Sequence, residues 1–197
     1  MTVASSAPAG SPPRLGPTRH LIRVGEYFRM GEAGILASDA RYELIEGEII
    51  DMPPIGPSHA GKTNRLTAIL SEAVHGRAIV SAQNPIILGD FSAPQPDLAL
   101  LRYRDDYYEQ SHPTAPDVLL LIEVADTSLD HDRGSKLALY ARYRVPEVWI
   151  VDIPGGHLDI HRDPDGARYT QQVRASDLSK VEIAALPGLI LDLKGLF

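Results

Sequence analysis

From residue 118 to residue 125 the chain is apolar at every position but one, and the exception, Glu123, is a carboxylate. A short run of branched aliphatic residues predicts a strand covered on both faces, where an ionised side chain is costly unless a cation or several donors meet it. Upstream, residues 95–101 have the same strand-like character and contain Pro96-Asp97. Downstream, residues 132–144 show helical spacing and carry Lys136, and Pro146 ends that helix before a strand over 147–152. Strand, helix, strand in that order predicts a parallel crossover.

The rest of the pattern fills in a mixed α/β chain. Residues 24–30 predict a short helix, and 42–45 with 48–52 predict a β-hairpin about the tight turn Glu46-Gly47. Ser58 is the expected cap of a helix running to about His75, with Leu66, Ile69, Leu70, Ala73 and Val74 in one stripe and Gly76 as the stop. Residues 78–82 and 85–88 read as short strand pieces, and 97–101 and 118–125 as central strands. A second hairpin is expected from 157–162 and 168–173 about a turn at 163–166. Its alternation sets Leu158 and Ile160 on one face and His157, Asp159 and His161 on the other. That polar face reads as a half-solvated hairpin surface, with a metal site as the alternative. Residues 1–20, rich in Ala, Ser, Pro and Gly, predict a disordered tail, leaving 21–197 as a single domain.

Composition narrows the chemistry. At 197 residues and 44% hydrophobic content the chain can bury one good core, and the absence of cysteine excludes disulfides and thiolate zinc sites. No apolar stretch approaches the roughly 20 residues of a membrane span, and no secretory signal opens the chain, so a cytoplasmic protein with no membrane partner is expected. The net charge of -7 argues against a broad basic nucleic-acid footprint, so a nucleic-acid substrate would need local positive charge and bound metal.

If the strands at 97–101 and 118–125 are antiparallel neighbours, the start of the first lies beside the end of the second, and Asp97 meets Glu123. Lys136 lies about one turn into the following helix, and its side chain, leaning toward the helix N-terminus, reaches back to both acids. Two carboxylates with a backbone carbonyl, that of Val124, and water make a hard oxygen site suited to Mg2+ or Mn2+. Such an ion with a lysine beside it serves phosphodiester hydrolysis. Taken singly, each residue has a plainer explanation: a strand-opening Asp97, a salt-bridged Glu123, or a solvated Lys136 paired with Asp132.

At these residues the chain resembles the PD-(D/E)XK nuclease superfamily and, within it, the Uma-two family of restriction-endonuclease-like proteins. The resemblance rests on YELIEGEIIDMPP, PSHAGKTNRL, PQPDLALL and above all LLIEVADTSLDHDRGSKLALYARYRVPEVWIVD, and covers the chain from about residue 21. It implies a restriction-endonuclease-like α/β fold, a mixed central β-sheet flanked by helices, with extra β-hairpins. It also implies Pro96-Asp97 as the PD element, Glu123 as the second acid, and a DNA substrate cut with Mg2+ or Mn2+ by a homodimer. The superfamily pattern has lysine two positions after the acid, where this chain has Ala125; Lys136 on the helix takes its place. Glu43 and His59 match further family positions: Glu43 as a metal ligand or a support for one, His59 as a contact to phosphate or water. An outward strand residue and a helix-start polar residue are the competing readings.

Tyr140, one turn beyond Lys136, reads as packing the helix onto the sheet, and Asp130, His131 and Asp132 as helix-start acids and a cap. The long loop 102–116, with Arg102, Tyr103, Arg104, Tyr107, Tyr108 and His112, suits DNA contact or a subunit interface. Two functions compete: a metal-dependent DNA endonuclease, and a catalytically inactive nucleic-acid or protein binding module on a nuclease scaffold. The first expects Asp97→Asn, Glu123→Gln and Lys136→Ala each to abolish cleavage and leave the fold intact. A serine hydrolase is set aside, since no G-x-S-x-G occurs.

Overall fold

A computed structural model describes residues 18–126 and 132–197. In chain order the elements are α1 (Val24–Glu32), β1 (Arg41–Ile45), β2 (Glu48–Met52), α2 (Pro57–Ala73), β3 (Ala78–Ala82), β4 (Leu98–Arg102) and β5 (Val118–Ala125). After a π-helical turn over Asp132–Lys136 come α3 (Leu137–Arg142), β6 (Glu147–Asp152), β7 (His157–Asp165), β8 (Arg168–Arg174), β9 (Val181–Glu182) and β10 (Ile190–Leu191). A six-stranded mixed sheet runs in the order β3-β4-β5-β6-β7-β8. Its neighbours are antiparallel except β5 and β6, which are parallel and joined through α3, as the strand-helix-strand pattern predicts.

Every residue of β5 and β6 is buried. The reason is cover on both faces: Leu66 and Leu70 of α2 pack with Leu120, Ile122 and Trp149 on one side, and Leu139 and Tyr140 of α3 with Leu121 and Ile150 on the other. The stripe expected on α2 is the one that packs, and Gly76, at φ 69, supplies its left-handed stop. Its start is shifted, however. Gly56 is the N-cap and Pro57 opens the helix, where a missing N–H costs nothing, so Ser58 lies inside the first turn rather than capping it.

The first hairpin forms as expected, with Glu46 and Gly47 both in left-handed backbone as a two-residue hairpin turn requires. It stands apart from the main sheet, tied to the chain by Ala93 N–H to Leu44 O and Gly47 N–H to Phe91 O, each 2.7 Å. Residues 85–88 form no strand: Pro85 cannot donate, and Ile87 makes a single bridge to Thr114 before the chain turns at Gly89.

The second hairpin departs further from its pattern. β7 continues to Asp165 and turns at Gly166; beyond Arg162 β6 no longer pairs with it, so Pro164 sacrifices no ladder bond there. Asp159 and His161 are buried, not a solvated face, because they share the sheet face of Ile150 and Val148, which α3 covers. Arg174 of β8 pairs with Asp159 at 2.9 Å, and His157 lies 3.3 Å from both Asp152 and Asp159. Among the described residues, no three His, Asp or Glu side chains are grouped to hold a metal, at this hairpin or elsewhere. Of the expected tail, only 18–20 are described, and they are exposed. No described helix is long and apolar enough to cross a membrane.

Candidate active site

The site begins with strand register. β4 and β5 pair Leu98 with Ile122, and the same register carried outward sets Asp97 opposite Glu123 and Pro96 opposite Val124. A strand residue turns its N–H and C=O toward the same neighbour. Pro96 has no N–H to give, so the Val124 carbonyl receives no ladder bond from that position. The Val124 N–H instead donates to Asp97 Oδ2 at 2.8 Å. The Pro-Asp pair thus ends the ladder and puts a carboxylate beside an unladdered carbonyl.

Two further elements hold Asp97. His59, in the first turn of α2, sets Nε2 at 3.0 Å from Oδ2. Gln83, just past β3, donates its amide to Oδ1 at 3.4 Å and its backbone N–H to the Asp97 carbonyl at 3.2 Å. Gln83 sits at φ 53, a left-handed conformation that glutamine seldom takes and that tertiary contacts must sustain. Burial pushes the Asp97 carboxyl up, but the His59 hydrogen bond and charge, the Val124 N–H and the Lys136 charge outweigh it and hold it below the ordinary aspartate range.

Glu123 is held from the helix side. Lys136 Nζ lies 2.9 Å from Glu123 Oε1 and 3.2 Å from Glu43 Oε1, bridging a sheet acid and a hairpin acid. Glu43 Oε1 also accepts the Gln95 N–H at 3.1 Å, while its Oε2 is buried with no hydrogen-bond partner. Tyr140, four residues beyond Lys136 and so on the same helix face, donates its hydroxyl to Glu123 Oε1 at 2.5 Å. Burial is nearly complete: Lys136 and Glu43 are each 1% exposed, Glu123 2% and Asp97 6%.

Glu43, His59, Asp97, Glu123 and Lys136 therefore line one cavity of about 190 Å³, together with Arg41, Gln95, Asp126 and the segment 53–56. Tyr140 packs the helix onto the sheet, as the sequence reading expects, and in addition bonds an acid of the site. Its signal was present in the sequence, four residues after the lysine; Gln83 and Gln95 had none. The side chains of Asp130, His131 and Asp132 lie outside the described residues. The 102–116 loop does not reach this cavity. Its Arg104 is engaged locally, paired with Asp106 and lying 4.2 Å from the centre of the Tyr108 ring.

The donors facing the cavity suit a hard cation. Carboxylate oxygens, among them a buried unpartnered oxygen on Glu43, are what Mg2+ or Mn2+ prefers, and the chain has no cysteine thiolate. Such donors would fill only part of a six-coordinate shell and leave the rest to water, as Mg2+ sites commonly do.

A solved structure from Anabaena variabilis ATCC 29413, described as "a putative nuclease belonging to DUF820", has the same fold. It superposes with a TM-score of 0.69 at 17% identity, over 89% of this chain and 97% of that one. No curated protein matches the chain. The model of the Uma2 family, described as "Putative restriction endonuclease", matches residues 24–194, and the chain belongs to that family.

Proposed function

We propose that this chain is a DNA endonuclease that needs Mg2+ or Mn2+. The observation that carries the reading is the meeting of Asp97, Glu123 and Lys136, drawn from two strands and a helix start, around a cavity that also holds an unpartnered Glu43 oxygen. Asp97, Glu123 and the Val124 carbonyl would hold the ion. When bound, it supplies a Lewis acid for the scissile phosphoryl group and acidifies nearby water.

The protein's own groups do the rest. His59 and the Val124 N–H keep Asp97 ionised and fixed in direction. The Lys136 ammonium, already at the acids, offsets the charge that grows on the phosphoryl oxygens. Arg41, at the cavity wall, draws a backbone phosphate toward an otherwise acidic surface.

The test is nicking of supercoiled plasmid in Mg2+ or Mn2+. Wild-type protein should cut, and Asp97→Asn and Glu123→Gln should each lose about 100-fold or more of the rate, with unchanged circular dichroism. A wild type that leaves plasmid intact with both ions, or variants that cut undiminished, overturns the reading. The competing module that binds without cutting draws on the net charge of -7 and on the two ion pairs that engage Lys136. It expects DNA or protein capture that survives both substitutions.

A further inference from the structure

Resting on the nuclease reading, we propose that Tyr140 is a positioning residue. Its hydroxyl and the Lys136 ammonium pin one oxygen of Glu123 toward α3, so that the carboxylate turns its other oxygen to the cavity. Both donors end on the same atom, Oε1, at 2.5 Å from Tyr140 and 2.9 Å from Lys136. The torsion that turns a carboxylate is broad and roughly two-fold, so a Glu held by one flexible lysine can exchange its two oxygens. A second donor on the same oxygen removes that freedom when the donor is itself immobile.

Tyr140 meets that condition. Its side chain is fully buried in the cluster of Leu121, Leu139, Val145, Val148 and Ile150 that joins α3 to the sheet. The phenol has few torsions to lose, and packing sets where its oxygen sits. Neutralising a buried acid does not by itself call for a phenol, because the ammonium carries the countercharge. What Tyr140 adds is direction. The helix therefore delivers two groups one turn apart with separate tasks: Lys136 brings charge, and Tyr140 brings orientation.

Tyr140→Phe separates this role from plain packing, because phenylalanine fills the same volume and lacks only the donor. Mn2+ binding is read from the free-ion signal in electron paramagnetic resonance, and nicking is followed against Mn2+ concentration. The variant should bind Mn2+ about 10-fold or more weaker, a loss typical when a group that orients a metal ligand is removed. The Mn2+ concentration for half-maximal nicking should rise by the same factor, with most of the rate recovered at saturation. Leu139→Val, at a buried neighbour in the same apolar cluster that offers no hydrogen bond, should lower the melting temperature and leave Mn2+ binding unchanged.

Wild-type affinity in Tyr140→Phe, or an equal loss in Leu139→Val, overturns the assignment and leaves the nuclease reading intact. A wild type that binds Mn2+ yet never cuts removes the nuclease reading, and binding alone then decides Tyr140. A wild type that binds no Mn2+ overturns both.

Discussion

Replacing Lys136 by methionine keeps most of the side-chain volume and deletes the one ammonium shared by two buried acids. The sequence alone reads Lys136 as a helix residue whose removal spares the fold; its 1% exposure and its bonds to Glu43 and Glu123 lead to the opposite expectation. Breaking a buried pair from one side costs about 3–5 kcal/mol, because the partner charge stays behind without compensation. Glu123 keeps the Tyr140 hydroxyl and Glu43 keeps the Gln95 N–H, which favours the lower end, about 3 kcal/mol. For a chain of this size that corresponds to a melting temperature about 6–12 °C lower. Urea unfolding followed by tryptophan fluorescence measures it, since Trp149 is buried in β6 and reports global unfolding. The variant Glu43→Gln/Glu123→Gln/Lys136→Met removes all three charges together and should return to within about 1 kcal/mol of wild type, because neutral replacement of a whole buried ion group is often nearly free. A Lys136→Met midpoint equal to wild type, at unchanged denaturant dependence, would refute the buried bridge. So would a triple variant less stable than the single one.

Two other measurements reach outside the site. The Arg104 hydrogen bond lowers the Asp106 carboxyl to about 2 against burial, which raises it, so the order this pair lends the 102–116 loop is complete above the ordinary aspartate value of 3.8 and is lost as pH falls through about 2. A carbonyl-carbon NMR titration should find that midpoint, and Arg104→Gln should move it upward; an Asp106 midpoint near 3.8 in the wild type counts against the pair. Gly47→Ala puts a Cβ 2.6 Å from Leu21 Cβ at a backbone φ of 83, so it should cost about 1–3 kcal/mol by thermal melting and displace the hairpin that carries Glu43. No loss of stability would contradict the packing of Leu21 on that turn.

Much of this molecule can be read locally. The apolar run at β5, the stripe on α2, the Glu46-Gly47 turn and the strand-helix-strand order each declare their element through a period or a cap within a few residues. Local rules misread Ser58, because Pro57 claims the first helical position, and they read residues 85–88 as a strand although the segment makes only an isolated bridge, at Ile87. Glu123 could be marked from the chain alone for the same kind of reason: a carboxylate in a strand buried on both faces demands a partner, whatever that partner turns out to be.

Which groups answer that demand is a matter of distance through space. Lys136 and Glu43 are 93 positions apart in the chain, and only the standing of the hairpin beside α3 makes them a pair. Residues 157–161 alternate as a half-wet strand would, yet α3 packs over their polar face and Arg174 of β8 meets Asp159. Alternation records which residues share a face; what covers that face comes from segments remote in sequence. In the same way, the backbone amide that holds Asp97 belongs to Val124, 27 positions along the chain, and is brought there by the register of β4 on β5. A sequence states what each group needs, and packing decides which neighbour supplies it.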